Sequence, residues 1–213
     1  SDDSHALLAH PDELNWHVGH SFLRFNVINH SWVFGLKMPD KKGFNFKVDM
    51  LNQADRYIKP QQLRAGMVFM TTQTDTLSGH IQMGADAPEQ FVTAKHAWFR
   101  QIWLTSLQTS SHLFKSTLCQ LYDGRAFHAM TMMEPDVVRG AVSGWFDADG
   151  APVSISQFIA VTEDKKGLWR INIPSLNMII PVSEGVALGH VFGGFASGNN
   201  QQGFCMLSDA QLG

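Results

Sequence analysis

Hydrophobic and polar residues alternate along most of this chain. In HSFLRFNVI, Leu23, Phe25 and Val27 oppose Arg24 and Asn26, and in FNFKVD, Phe44, Phe46 and Val48 share one face. A period of two sends successive side chains to opposite faces of a strand. Val153, Ile155, Ile159 and Val161 repeat the pattern in APVSISQFIAVT, and SWVFGL, GMVFMTT, GHIQM, RAFHAMTMM, RGAVSGWFD, GHVFGGF and GFCMLS read the same way. Together they predict about ten strands of ordinary length and a mainly β chain.

One stretch departs from simple alternation. In KGLWRINIPSLNMIIPVSEG, residues 166–185, Trp169, Ile171 and Ile173 alternate with Arg170 and Asn172 up to Pro174. Met178, Ile179 and Ile180 then form a continuous apolar run closed by Pro181. A proline cannot donate to a strand ladder, and a continuous run reads as a strand covered on both faces. The pattern predicts an element that something outside the domain covers.

A helical pattern is read at AKHAWFRQIWLTSLQ, residues 94–108. Thr93 is placed to cap it, and Ala94, Trp98 and Ile102 recur every four residues, as do Phe99, Trp103 and Leu107. Shorter helical turns are read around residues 50–57 and 112–121. Asp123-Gly124 and Asp149-Gly150 are hairpin signals. DADG at 147–150 lacks the other ligands of a calcium loop and reads as a solvated turn.

Composition narrows the function. Only 16% of the 213 residues are charged, against about 25% in ordinary soluble domains, alongside 10 Met, 6 Trp and 15 Phe. Interface cores are poor in charge and rich in aromatics and methionine, so the composition favours an assembling protein. A net charge of −3 gives no basic footprint for nucleic acid. No apolar stretch approaches a membrane span, and no membrane partner is expected. Cys119 and Cys205 are too few for a disulfide framework and read as free thiols in a reducing compartment, with a single bridge as the alternative.

Candidate chemistry is sparse. His10, His17 and His20 lie close in sequence, but Gly19 and the strand that follows argue against the helix that would let them chelate together. Cys119 and His128 suit a nucleophile and base only in residue type, with no signature around the cysteine. The glycines of GHVFGGFASG follow a strand without opening a helix, which speaks against a nucleotide site and for close packing. No catalytic residue, cofactor or metal ion is expected.

Order along the chain brings a resemblance. The segment read as a helix, then LYDGRAFHAMTMM, RGAVSGWFDADGAP and INIPSLNMIIPVS, resembles the coat-protein jelly rolls of picorna-like viruses, the secovirus group of plant viruses in particular. It covers roughly residues 94–183, with Gly140 in a small-residue position and Ser175, Asn177 and Pro181 matching a loose strand-and-turn motif. The resemblance implies a jelly-roll β-sandwich with one main helix. Its implied divisions are an N-terminal arm at 1–15, a coat domain at 16–195 and, at 196–213, a C-terminal extension packed on or between subunits. It also implies a capsid subunit, not an enzyme, released by a protease cutting before Ser1. Its partners would be copies of itself, sister coat proteins and, weakly or indirectly, genomic RNA, in the virion and the host cytoplasm.

On that reading Trp16, Trp145, Trp169, Met178, Ile180, Phe192 and Phe195 are the candidate interface. His17, His20, His30, His128 and His190 are candidate pH-sensitive contacts, because full protonation of ten histidines would carry the charge from −3 to about +7. The alternative is a β-barrel that binds a small apolar ligand among Trp16, Trp32, Trp145 and Trp169.

Overall fold

The computed structural model describes all residues except 1–4, 11–12, 51–58, 106–111, 136, 154–158, 167, 175–177, 189–190, 197–201 and 213. The chain is mainly β and divides into two compact units. The first comprises Ser1–Arg56 and Gln73–Phe99, the second Tyr57–Thr72 and Arg100–Gly213.

In chain order the strands begin with β1 (His5–His10), β2 (Glu13–Val18), β3 (Ser21–Asn26), β4 (Ser31–Lys37) and β5 (Lys42–Asp49). Next come β6 (Gln61–Arg64), β7 (Met67–Gln73), β8 (Leu77–Met83), β9 (Gln90–Ala94) and β10 (Trp98–Leu104). Then follow β11 (His112–Leu121), β12 (Ala126–Met133), β13 (Val138–Phe146), β14 (Pro152–Val153) and β15 (Ala160–Lys165). The last are β16 (Leu168–Ile173), β17 (Met178–Leu188), β18 (Val191–Ala196) and β19 (Gly203–Leu212).

The first unit carries a seven-stranded antiparallel sheet in the order β1-β2-β3-β4-β5-β8-β9. Neighbours in this sheet are mostly neighbours in sequence, as in an up-and-down meander, whereas the expected jelly roll would interleave its strands. In the second unit nine strands run β14-β13-β12-β11-β19-β18-β17-β16-β15. A three-stranded sheet, β10-β7-β6, completes the architecture.

No helix forms at 94–108. Residues up to Ala94 belong to β9, and Trp98–Leu104 is β10. Trp98, Phe99, Ile102 and Trp103 are aromatic or β-branched, and such residues favour strands. Local bonds fix the break between the two strands. The Thr74 amide donates to the Ala97 carbonyl (2.9 Å), and the Ala97 amide donates to the Thr74 hydroxyl (3.0 Å). The turn expected at 112–121 is likewise a strand, β11, while the one expected at 50–57 lies almost wholly outside the described residues.

The hairpin signals hold. Gly124 adopts φ +94° between β11 and β12, and the Asp123 carboxylate accepts from the Arg125 amide at 3.0 Å. Gly150 adopts φ +85°, with the Asp147 carboxylate accepting from the Ala151 amide at 2.9 Å. The segments read as arm and extension contain strands. β1 pairs with β2, and β19 lies between β11 and β18.

The second unit has two filled apolar layers. On one face of the large sheet Phe127, Ile171, Ile173, Ile180, Val182 and Leu207 are fully buried, with Trp145 and Trp169 beside them. On the other face Phe114, Met130, Met132 and Val142 pack with Leu63 and Phe69 from β6 and β7. In KGLWRINIPSLNMIIPVSEG the alternation continues into β17. Ile180 and Val182 point inward with Ile171, while Ile179 remains 49% exposed. Trp145, Trp169 and Ile180, expected at a subunit interface, are therefore core of this unit.

Cys119 and Cys205 are not free thiols. They face each other across β11 and β19, Cα atoms 4.1 Å apart, and form a disulfide closing a sequence separation of 86 residues. That pairing depends on a strand register set far along the chain, which the local sequence around either cysteine does not display.

Candidate functional site

The apolar face of the first unit's sheet is built by period-two alternation. Across the strands it forms uncharged rows: Leu23, Phe34 and Phe46; Phe25, Trp32, Val48 and Leu77; Leu36, Phe44 and Ile81. Arg24, Val33, Asn45, Lys47 and His80 occupy the opposite face. Aromatic rings meet along the apolar rows. Phe25 and Trp32 lie 4.5 Å apart between centroids, Phe44 and Phe46 5.6 Å, and Phe34 and Phe46 5.9 Å. Trp32 also stacks between Trp16 at 6.2 Å and Phe99 at 5.9 Å.

This face differs in kind from those of the second unit. Of its rows only Val48 is buried; Phe25, Trp32, Phe34, Phe44 and Phe46 are half-buried, and Leu23 is exposed. Apolar walls with few polar groups are the common lining of small-molecule sites. The unit also holds a histidine in a defined tautomer. His96 Nδ1 lies 2.7 Å from the Thr74 carbonyl oxygen, an acceptor only, so Nδ1 carries the hydrogen. Nε2 is then a buried acceptor without a partner among the described residues.

The second unit contains a separate polar cluster. Arg100 on β10 donates from Nε to the Thr71 hydroxyl and from Nη1 to the Ser116 hydroxyl, each at 3.0 Å. Thr71 and Ser116 are buried, and Nη2 of Arg100 is buried with no hydrogen-bond partner among the described residues. Burial lowers the Arg100 pKa from its ordinary value. His128, on the same sheet face as Ser116, is held at a pKa of about 3, first by burial and then by the charge of Arg100. A neutral imidazole therefore stands beside a guanidinium at neutral pH.

The expected site residues scatter. Trp16 belongs to the first unit's aromatic face, and Trp145 stacks on Phe127 (5.3 Å) in the second unit's core. Met178 pairs in register with Ile173, Phe192 with Leu207, and Phe195 with Phe204. His17, His20 and His30 are exposed, whereas His128 is buried; His190 lies outside the described residues. Cys119 and His128 project from opposite faces of the sheet, since Cys119 pairs with Phe127 and His128 with Leu118. The four tryptophans of the ligand-binding alternative divide two and two between the units. Arg100, Thr71 and Ser116 carried no signal of their own beyond an arginine set within WFRQIWL.

No family model matches the sequence, and no curated protein matches it. Solved structures do. A protein described as AttH from Nitrosomonas europaea matches with a TM-score of 0.61 at 10% identity, over 91% of this chain and 69% of that one. CghA with Sch210972 matches with a TM-score of 0.58 at 10% identity, over 98% of this chain and 74% of that one. CghA alone scores 0.59 at 8% identity, over 98% and 73%. The chain shares their fold.

Viral coat proteins are not what the structure resembles, so the capsid reading is withdrawn, and the partners, RNA and virion location that it implied lose their basis. The strand-and-turn order behind that resemblance is common to many antiparallel proteins, and part of it rested on a helix that is a strand. The expectation of a non-enzymatic protein stood on the same reading and falls with it. A weaker likeness is to an enzyme by name, kievitone hydratase from Nectria haematococca (TM-score 0.49, 11% identity, 96% of this chain and 82% of that one).

Proposed function

We propose that the protein binds a small, predominantly apolar molecule on the aromatic face of the first unit's sheet, in the manner of a lipocalin-like β-barrel protein. The observation that carries this reading is the contrast between two apolar surfaces of one chain. In the second unit Phe127, Ile171 and Leu207 are packed to full burial, while in the first Phe34, Phe44 and Phe46 are left half-covered. Support also comes from the shared fold with CghA, whose structure was determined with Sch210972.

Magnitudes fit a small ligand. Removing about 300 Å² of apolar surface from water is worth roughly 7 kcal/mol. Before the costs of immobilisation, that is a dissociation constant on the order of 10 µM. Edge-to-face and offset contacts with the rings add to it. His96 Nε2 supplies an acceptor in the same unit for a ligand that carries a hydroxyl or amide hydrogen.

The reading is tested by titrating the protein with N-phenyl-1-naphthylamine, a neutral apolar dye that brightens on leaving water. Saturable enhancement that weakens in Phe34→Ala and Phe46→Ala supports it. Enhancement that never saturates, or that ignores both substitutions, rejects it.

A further inference from the structure

We propose that the molecule taken up on the aromatic face is an uncharged, flat aromatic one, a fused-ring compound held against Phe34, Phe44 and Phe46. This inference rests on the apolar uptake proposed above and names the class of molecule that the face selects.

Charge is the first selector. β2 continues the three uncharged rows with Leu14, Trp16 and Val18, and β9 continues them with Ala94, Val92 and Gln90. From β2 to β9 no residue in these rows is charged. The charges of the same strands stand on the opposite face, where Arg24 lies and where Lys47 and Asp49 pair with each other at 3.3 Å. An anion or a cation laid on the apolar rows would lose water and meet no counter-charge, which is costly. Aromatic rings do attract cations, tryptophan most strongly. Trp32, however, is stacked on Trp16 and on Phe99, so the ring best suited to a cation is already engaged by its neighbours.

Ring geometry is the second selector. Phe34, Phe44 and Phe46 are half-buried, so solvent reaches all three. Their centroids form a triangle with sides of 5.6, 5.9 and 6.3 Å. The planes of Phe44 and Phe46 differ by 32° and those of Phe34 and Phe46 by 43°, whereas Phe34 meets Phe44 edge-on at 71°. The cluster therefore offers a planar ligand ring faces and ring edges together, which are the offset and edge-to-face arrangements that aromatic pairs prefer. A saturated ring system of the same size buries similar area but has no π face, and gains nothing from these orientations.

The test is isothermal titration calorimetry of the full chain at pH 7 with four compounds on one carbon skeleton. 2-Naphthol is neutral and flat, decahydro-2-naphthol neutral and saturated, 2-naphthoate anionic, and 2-naphthylmethylamine cationic. 2-Naphthol is expected to bind about threefold or more tightly than decahydro-2-naphthol. It is expected to bind about tenfold or more tightly than either ion. Phe44→Leu keeps the face apolar while removing one ring, and is expected to narrow the gap between the two alcohols. Decahydro-2-naphthol binding as tightly as 2-naphthol, or a gap undiminished in Phe44→Leu, overturns the aromatic class. Either ion binding as tightly as 2-naphthol overturns the neutral one. The N-phenyl-1-naphthylamine titration separates the two levels: saturable dye uptake with any of these results overturns the ligand class alone, and no saturable uptake overturns the apolar site and this inference with it.

Discussion

Cys119 and Cys205 stand directly opposite each other on β11 and β19 and are bonded, and both are fully buried. The bond joins two strands at the centre of the nine-stranded sheet, so it constrains the unfolded chain over a long loop. For a separation of 86 residues the chain-entropy relation gives about 4.6 kcal/mol of stabilisation. Guanidinium unfolding of the double variant Cys119→Ala, Cys205→Ala is expected to show a loss of that order. Reductant added to the folded wild type is expected to act slowly, since neither sulfur meets solvent. Equal midpoints for the two proteins would show the bridge to be dispensable.

Gly140 is a site of close approach between β13 and β6. A Cβ there would clash with the Leu63 carbonyl oxygen, a backbone atom that cannot swing aside. Gly140→Ala is expected to destabilise by roughly 2 kcal/mol or more, as overpacking commonly does. Ala141→Gly, one residue along, serves as the control for the glycine content of the strand. Chemical denaturation of both variants decides it.

Much of the fold was legible and some of it could not be. Alternation in Leu23–Phe25 and Phe44–Val48 identified strands and their apolar faces, and Asp123-Gly124 marked its hairpin, because both signals are local. The run from Trp98 to Leu104 predicts a helix yet forms a strand, because its apolar residues fit a helical period as well as a strand. What separated the two was Thr74, more than twenty residues away, bonding to Ala97. The disulfide likewise depends on register between strands distant in sequence. The site was less legible still. Trp16 and Trp169 both sit in alternating strands, yet one lies on a half-covered face and the other in a filled core, and alternation does not report what packs against a face. Arg100 shows the same limit, since its buried hydroxyl partners come from β7 and β11.

His128 gives the protein a dependence on acid. Its folded-state pKa of about 3 lies below the ordinary value of 6.5, so between those limits the unfolded chain binds a proton that the folded chain refuses. Stability from this group is intact above pH 6.5 and is lost as pH falls toward 3, by about 1.4 kcal/mol per pH unit. His128→Gln, which does not titrate, is expected to flatten that part of the curve. Urea midpoints measured from pH 7 to pH 4 check it, and parallel curves for the two proteins would contradict it.

The aromatic face makes a contrasting prediction about stability. Phe46→Ala removes a ring that is only half-buried and is expected to cost about 1–2 kcal/mol, whereas Phe127→Ala, in the filled core, is expected to cost about 3–5 kcal/mol. Denaturant unfolding of the two variants compares them on one scale.

The central claim, that the first unit's aromatic face takes up a small apolar molecule, is tested most directly by isothermal titration calorimetry with N-phenyl-1-naphthylamine on wild type and on Phe34→Ala, Phe46→Ala. The predicted result is one equivalent bound at a dissociation constant of about 10 µM or weaker, weakened at least tenfold further in the double variant while Arg100→Met binds as wild type. Absence of a saturable isotherm in the wild type, or an unchanged constant in the double variant, would contradict it.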